Sequence, residues 1–247
     1  MRAVLTFHGI DRQDGPLSCA PRDFDAMLAA FARTGIPVLD LDRLLGPDVR
    51  HGVALTFDDG LRSLFTDALP ILREHHAPAH LFLCTDALQR GAAAPGSDRD
   101  MLTWDMLGKL HDSGLAIEAH THRHLDLRQL SDEEIVAECA TADALIERRT
   151  GRRPRYFAYP FGRHDRRVIE QIRPRYAAAF TTRLAFLASG DSPSSLPRLD
   201  AHYLRSPLVY GRLQAHSTRW YLRLRGLMRI ARGSESISLR TGLQRDP

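Results

Sequence analysis

Val53-Ala54-Leu55-Thr56-Phe57-Asp58-Asp59-Gly60 and Leu115-Ala116-Ile117-Glu118-Ala119-His120-Thr121-His122-Arg123-His124 share one design, an apolar run that ends abruptly in acids or histidines. Each run is the length of a buried strand, and its polar end is where such a strand leaves a sheet. Working outward, residues 3–7, 37–41, 79–84, 156–159, 177–181 and a segment near Leu199 read as further strands. Between them lie helical patterns. Residues 21–34 place Phe24, Met27, Leu28 and Phe31 at helical spacing, and 61–74 and 104–113 read as helices too. Residues 132–150 predict a long helix opened by Ser131 and Glu134 as a capping box. Residues 91–100, rich in Ala, Gly, Pro and Asp, predict an exposed loop. Roughly seven strands alternating with helices predict an α/β barrel in a single domain.

Composition sets the outer limits. The 247 residues suffice for one large domain with a sizeable core, and 43% hydrophobic with 26% charged residues is ordinary for a globular enzyme. The formal charge of +4 comes almost wholly from arginine, because Lys109 is the only lysine, and the basic residues concentrate after about Arg198. With no continuous basic stripe, a nucleic-acid partner is not expected. Cys19, Cys84 and Cys139 lack any CxxC spacing, so they read as reduced thiols rather than a disulfide framework or a zinc site. The N-terminus shows no secretory leader, and no stretch is long enough to span a membrane, so the expected location is cytoplasmic, with membrane association as the variant.

The chemistry concentrates at strand ends. Asp58 and Asp59 close a buried strand, where successive side chains point to opposite faces, so one carboxylate can bind a cation while the other reaches elsewhere in the same pocket. Asp-Asp-Gly is equally good turn chemistry. Three histidines within residues 120–124 favour metal binding over a solvated loop, and a turn there lets His120 and His124 converge while His122 points away. Asp59, His120 and His124 together make a mixed set with positions left open for water and substrate.

Residues 56–60, then His120-Thr121-x-x-His124 followed by Asp126-Leu127, then Tyr159-Pro160-Phe161-Gly162, resemble in order and spacing the motifs of the polysaccharide deacetylases (NodB-homology, carbohydrate esterase family 4). The resemblance spans about residues 3–203. It implies a distorted (β/α)7 barrel and a divalent ion, Zn²⁺ or a substitute such as Co²⁺, on Asp59, His120 and His124. It further implies Asp58 as the general base, and the Phe161 backbone amide as a donor to the oxyanion that attack on an amide carbonyl creates.

Two departures follow. Relatives carry a late Leu-x-His strand whose histidine is the acid, and no such strand follows Tyr203 here. Leu5-Thr6-Phe7-His8 looks like that motif moved to the front, and in a closed barrel the first and last strands are neighbours, so His8 is the expected acid with His202 in reserve. Many relatives also set an arginine before the third motif, where this chain has Ala158 and Tyr159. Arg198 and Asp200 are the candidates to orient the base instead, or else they form a solvated edge. Tyr159, Phe161 and Trp104 offer stacking surfaces to a sugar, or pack in the core.

Residues 1–210 are read as the catalytic domain. In residues 211–247, Trp220, Tyr221, Leu224, Leu227, Met228 and Ala231 share a helical face flanked by Arg225, Arg229 and Arg232. That helix either packs on the barrel or rests on an anionic membrane, and a disordered tail is expected after it. The function expected is de-N-acetylation of an N-acetylhexosamine-containing polysaccharide or glycan precursor. The alternatives are amide hydrolysis on a small non-sugar substrate and a non-catalytic glycan-binding barrel.

Overall fold

A computed structural model describes residues 1–13, 15–91 and 99–231. Its strands are β1 (Arg2–Phe7), β2 (Gly9–Ile10), β3 (Ser18–Cys19), β4 (Gly52–Asp59), β5 (Ala79–Leu83), β6 (Ala116–Ala119), β7 (Tyr156–Ala158), β8 (Ala178–Phe180) and β9 (Leu199–Asp200). The helices are α1 (Pro21–Arg33), α2 (Leu41–Leu45), α3 (Leu69–Glu74), α4 (Thr85–Arg90), α5 (Trp104–Asp112), α6 (Asp132–Thr150), α7 (Arg166–Ile172), α8 (Pro207–Tyr210) and α9 (His216–Ala231).

Seven strands form one parallel sheet in the order β8-β7-β6-β5-β4-β1-β9. The sheet curls until its edges approach. Leu196 bridges Phe180 of β8, and three residues later β9 pairs with Leu5 and Thr6 of β1, so residues 196–200 span the seam. This is the α/β barrel that the strand–helix rhythm predicts. Leu5, Phe7, Leu55 and Phe57 point outward into a layer shared with Phe24, Met27 and Phe31 of α1. Val4, Ala54, Phe82, Ala158 and Phe180 belong to a separate cluster inside the curl. Period-two alternation along β4 therefore puts Asp58, in phase with Ala54 and Thr56, on the interior row. A third cluster packs Phe157, Tyr159 and Ala179 against Ile135 and Cys139 of α6 and Val168 and Ile172 of α7.

Two predicted elements differ. Residues 37–41 are not a strand: only Val38 bridges Val53, because the Asp40 side chain accepts the Arg43 N–H and starts α2 at once. Residues 61–74 are not one α-helix. Pro70 has no N–H to offer the preceding turn, and residues 64–68 widen into a π-turn closed by Leu69 N–H donating to the Leu64 carbonyl before α3 begins. The capping box of Ser131 and Glu134 is formed, and α6 ends at a left-handed Gly151. Most of the 91–100 loop and the tail after Ala231 lie outside the described residues.

Candidate active site

Asp59, His120 and His124 meet where β4 and β6 end. Their ligand atoms lie within 4.8 Å of one another, and each Nε2 is 3.6 Å from Asp59 Oδ1. Two donors sharing a tetrahedral cation at about 2 Å stand roughly 3.3 Å apart, so this triangle fits a zinc-like ion. The buried His120 is oriented by its Nδ1, which donates to the Ala158 carbonyl at 2.7 Å and leaves Nε2 facing Asp59. Burial, opposed by Asp58, holds both His120 and His124 down to about 4, so the imidazoles are neutral and available as ligands at neutral pH.

Backbone strain concentrates here. Among the described residues, five non-glycine residues have positive φ, and four of them, Asp59 (73°), Thr121 (67°), His124 (58°) and Phe161 (59°), belong to the three motifs. Strict alternation would send Asp58 and Asp59 to opposite faces; the left-handed turn at Asp59 brings its carboxylate to the histidines instead. The Thr121 hydroxyl accepts the His124 N–H at 3.0 Å. His122 points away, as expected, with Nδ1 2.9 Å from the Thr85 hydroxyl.

Asp58 is buried and held in a fork: Arg198 donates through Nη1 and Nη2 to its two carboxylate oxygens, each at 2.7 Å. Burial pushes the Asp58 pKa up, but Arg198, His120 and, more weakly, His8 bring it down to about 2. Arg198 is itself only 2% exposed, donates to the Thr181 carbonyl and lies 5.5 Å over Phe82. It is thus no solvated edge, but the orienting partner of Asp58.

His8, half-buried, stands at the end of β1, and its field reaches both Asp58 and His124. His202 sits farther round the seam, where Asp200 accepts its backbone N–H and its Nδ1 is buried without a hydrogen-bond partner. Asp200 is therefore a turn cap, and no contact to Asp58 joins it to Arg198 among the described residues.

Phe161 is 44% exposed, meets His124 edge-on at 4.6 Å and lies under Arg163. It overlooks the site. Tyr159 does not: it is fully buried, donates to the Ser194 carbonyl and stacks on His164, so it packs the core rather than a sugar. Trp104 opens α5, packs partly buried against the core and carries the Arg149 guanidinium 5.9 Å over its ring.

One residue escapes the sequence reading. Glu138, buried in α6, accepts the backbone N–H groups of His122 and Arg123 at 3.1 and 2.8 Å and the Arg123 Nε at 2.6 Å, anchoring the histidine loop. Its only sequence signal is an acid on the apolar side of α6. Asp126 plays a similar part, tying Arg128 to Arg163, the residue after the third motif.

The comparisons bear on the fold and the family. YxkH of Bacillus subtilis, which carries a provisional polysaccharide-deacetylase name, is 23% identical over 173 residues, 68% of this chain; the chain spans 59% of that relative's length. Among solved structures, the Streptococcus pyogenes deacetylase PplD in complex with acetate superposes with a TM-score of 0.72 at 23% identity, covering 80% of this chain and 91% of that one. IcaB from Ammonifex degensii gives 0.74 at 20% identity, covering 88% and 97%. These likenesses show the shared barrel. The family model described as "Polysaccharide deacetylase" matches residues 46–175, just over half of the chain. The chain belongs to the polysaccharide deacetylase family.

Proposed function

We propose that this protein hydrolyses the N-acetyl group of an N-acetylhexosamine-containing polysaccharide or glycan precursor. The observation that carries this reading is a buried carboxylate, Asp58, forked by Arg198 beside a three-ligand triangle of Asp59, His120 and His124. Asp59, His120 and His124 would hold a divalent ion, zinc by the chemistry of the donors, which would supply Lewis acidity to a water and to the acyl oxygen.

The chain's own residues do the rest. Asp58, ionised at working pH, takes the proton from the attacking water, and Arg198 fixes which way its lone pairs face. The Phe161 backbone N–H donates to the oxygen on which negative charge develops. His8, across the seam from Arg198, gives a proton to the departing amine, releasing acetate and the free amino sugar. His8 fits this role because its charge is felt at both Asp58 and His124.

The test is acetate release by Zn²⁺- or Co²⁺-loaded protein over N-acetylated oligosaccharides, nucleotide sugars and lipid-linked sugars. Release that Asp58→Asn abolishes and His8→Ala cuts by about a hundredfold or more is expected. Wild-type turnover in His8→Ala transfers the acid role to His202. Release only from small non-sugar amides replaces the substrate class, and full metal content in His124→Ala refutes the ligand set.

A further inference from the structure

Helix α9 is held to the barrel by the face that carries Thr218, Leu222 and Gly226. Thr218 and Leu222 are buried, and a Cβ at Gly226 would come within 3.2 Å of the Leu184 carbonyl oxygen, so the helix rides close to the wall there. Arg219 and Arg225 lie over Phe186 and Tyr203, at 5.7 and 5.2 Å.

Four other large apolar residues face the other way. Trp220 is 71% exposed, Tyr221 38%, Leu224 49% and Leu227 57%, along two turns of one helix. A helix that merely packed on a barrel would bury these and expose the small ones. The sequence reading grouped Trp220, Tyr221, Leu224 and Leu227 on one face and left open whether it packs inward; the structure turns it outward.

Charge segregates to the same place. Residues 201–234 hold seven arginines and no aspartate or glutamate, whereas the whole chain carries only +4, so the remainder is net negative. A second copy of the same face would set arginines against arginines, with no acid in the segment to answer them. An aromatic and aliphatic stripe edged by arginines matches the polar–apolar boundary of a lipid surface, with ring and leucine side chains entering and guanidinium groups staying among headgroups.

We propose that this face of α9 seats the protein on an anionic phospholipid bilayer. The helix also sets the orientation. Arg219 lies near the amino group of Met1, at the start of β1, and Arg225 lies over Tyr203, just past the end of β9. The helix therefore climbs the wall from the strand starts toward the side of the strand ends, where the catalytic groups open. A molecule docked this way holds its site beside the membrane rather than behind the barrel.

Flotation of the full, metal-loaded chain with vesicles tests this, comparing pure phosphatidylcholine with phosphatidylcholine containing phosphatidylglycerol. The wild type is expected to float with the anionic vesicles and not with the neutral ones. Added salt should weaken binding, and Trp220→Ala combined with Leu224→Ala should weaken it by about tenfold or more. Both side chains are exposed, so unchanged circular dichroism and unchanged acetate release from a soluble substrate are expected alongside. Binding that survives the double substitution, or no binding to anionic vesicles, overturns the proposal. So does a dimer in light scattering that the double substitution dissolves while vesicles are ignored.

Discussion

A buried ion pair is fragile when one partner goes, and Arg198 is the residue where that matters most. Replacing it leaves Asp58 as an uncompensated buried charge and takes a donor from the Thr181 carbonyl. Arg198→Met should therefore cost about 3–5 kcal/mol in denaturant unfolding and abolish measurable acetate release. Arg198→Lys keeps the charge but not the two-pronged geometry, and is expected to fold better than Arg198→Met while recovering little activity. If Arg198→Met melts like the wild type, the fork does not hold Asp58. The clustering of Asp59, His120 and His124 was legible from residue types and spacing, because acids and histidines at apolar strand ends have few other uses. The fate of Tyr159 was not, since an aromatic beside Pro-Phe-Gly has the same pattern whether it faces a sugar or, as here, Ser194 and His164.

At the level of elements, the histidine loop is only as well placed as the helix that grips it. Glu138 satisfies two loop amides, and with Ala in its place those part-buried donors lose their partner. Glu138→Ala is expected to lower stability by about 1–3 kcal/mol and metal affinity by roughly 10- to 100-fold, read by chelator competition and thermal melts. Unchanged affinity with lowered stability would show that Thr121 and the His120 contact to Ala158 suffice to set the ligands. Helix α6 itself was readable from its capping box, but Glu138 was not, because a tertiary anchor leaves no local signature. Likewise, residues 37–41 read as a strand on apolar content, whereas one aspartate cap at position 40 decided otherwise.

Across the whole molecule, the three thiols offer a test of cooperativity. Cys19 on β3, Cys84 after β5 and Cys139 in α6 are buried, and burial first of all pushes each pKa up to about 12. All three should stay silent to an alkylating reagent at mildly alkaline pH and become reactive together, in the denaturant range where the barrel unfolds. Early labelling of Cys19 alone would mark the β2–β3 ribbon as a separately opening unit. The alternation of strands and helices made the barrel readable at this scale, since seven apolar runs need a closed parallel sheet to bury them. How the sheet closes was not readable: β9 has two residues, and a seam spanned by residues 196–200 depends on contacts distant in sequence.

That seam also orders events in time. Asp58 and Arg198 are separated by 140 positions along the chain. As the polypeptide leaves the ribosome from its amino end, both aspartates and both histidines of the site emerge well before position 198. The newborn chain thus carries Asp59, His120 and His124 while Asp58 still waits for its guanidinium, and that carboxylate is locked in place only when the last strand closes the ring.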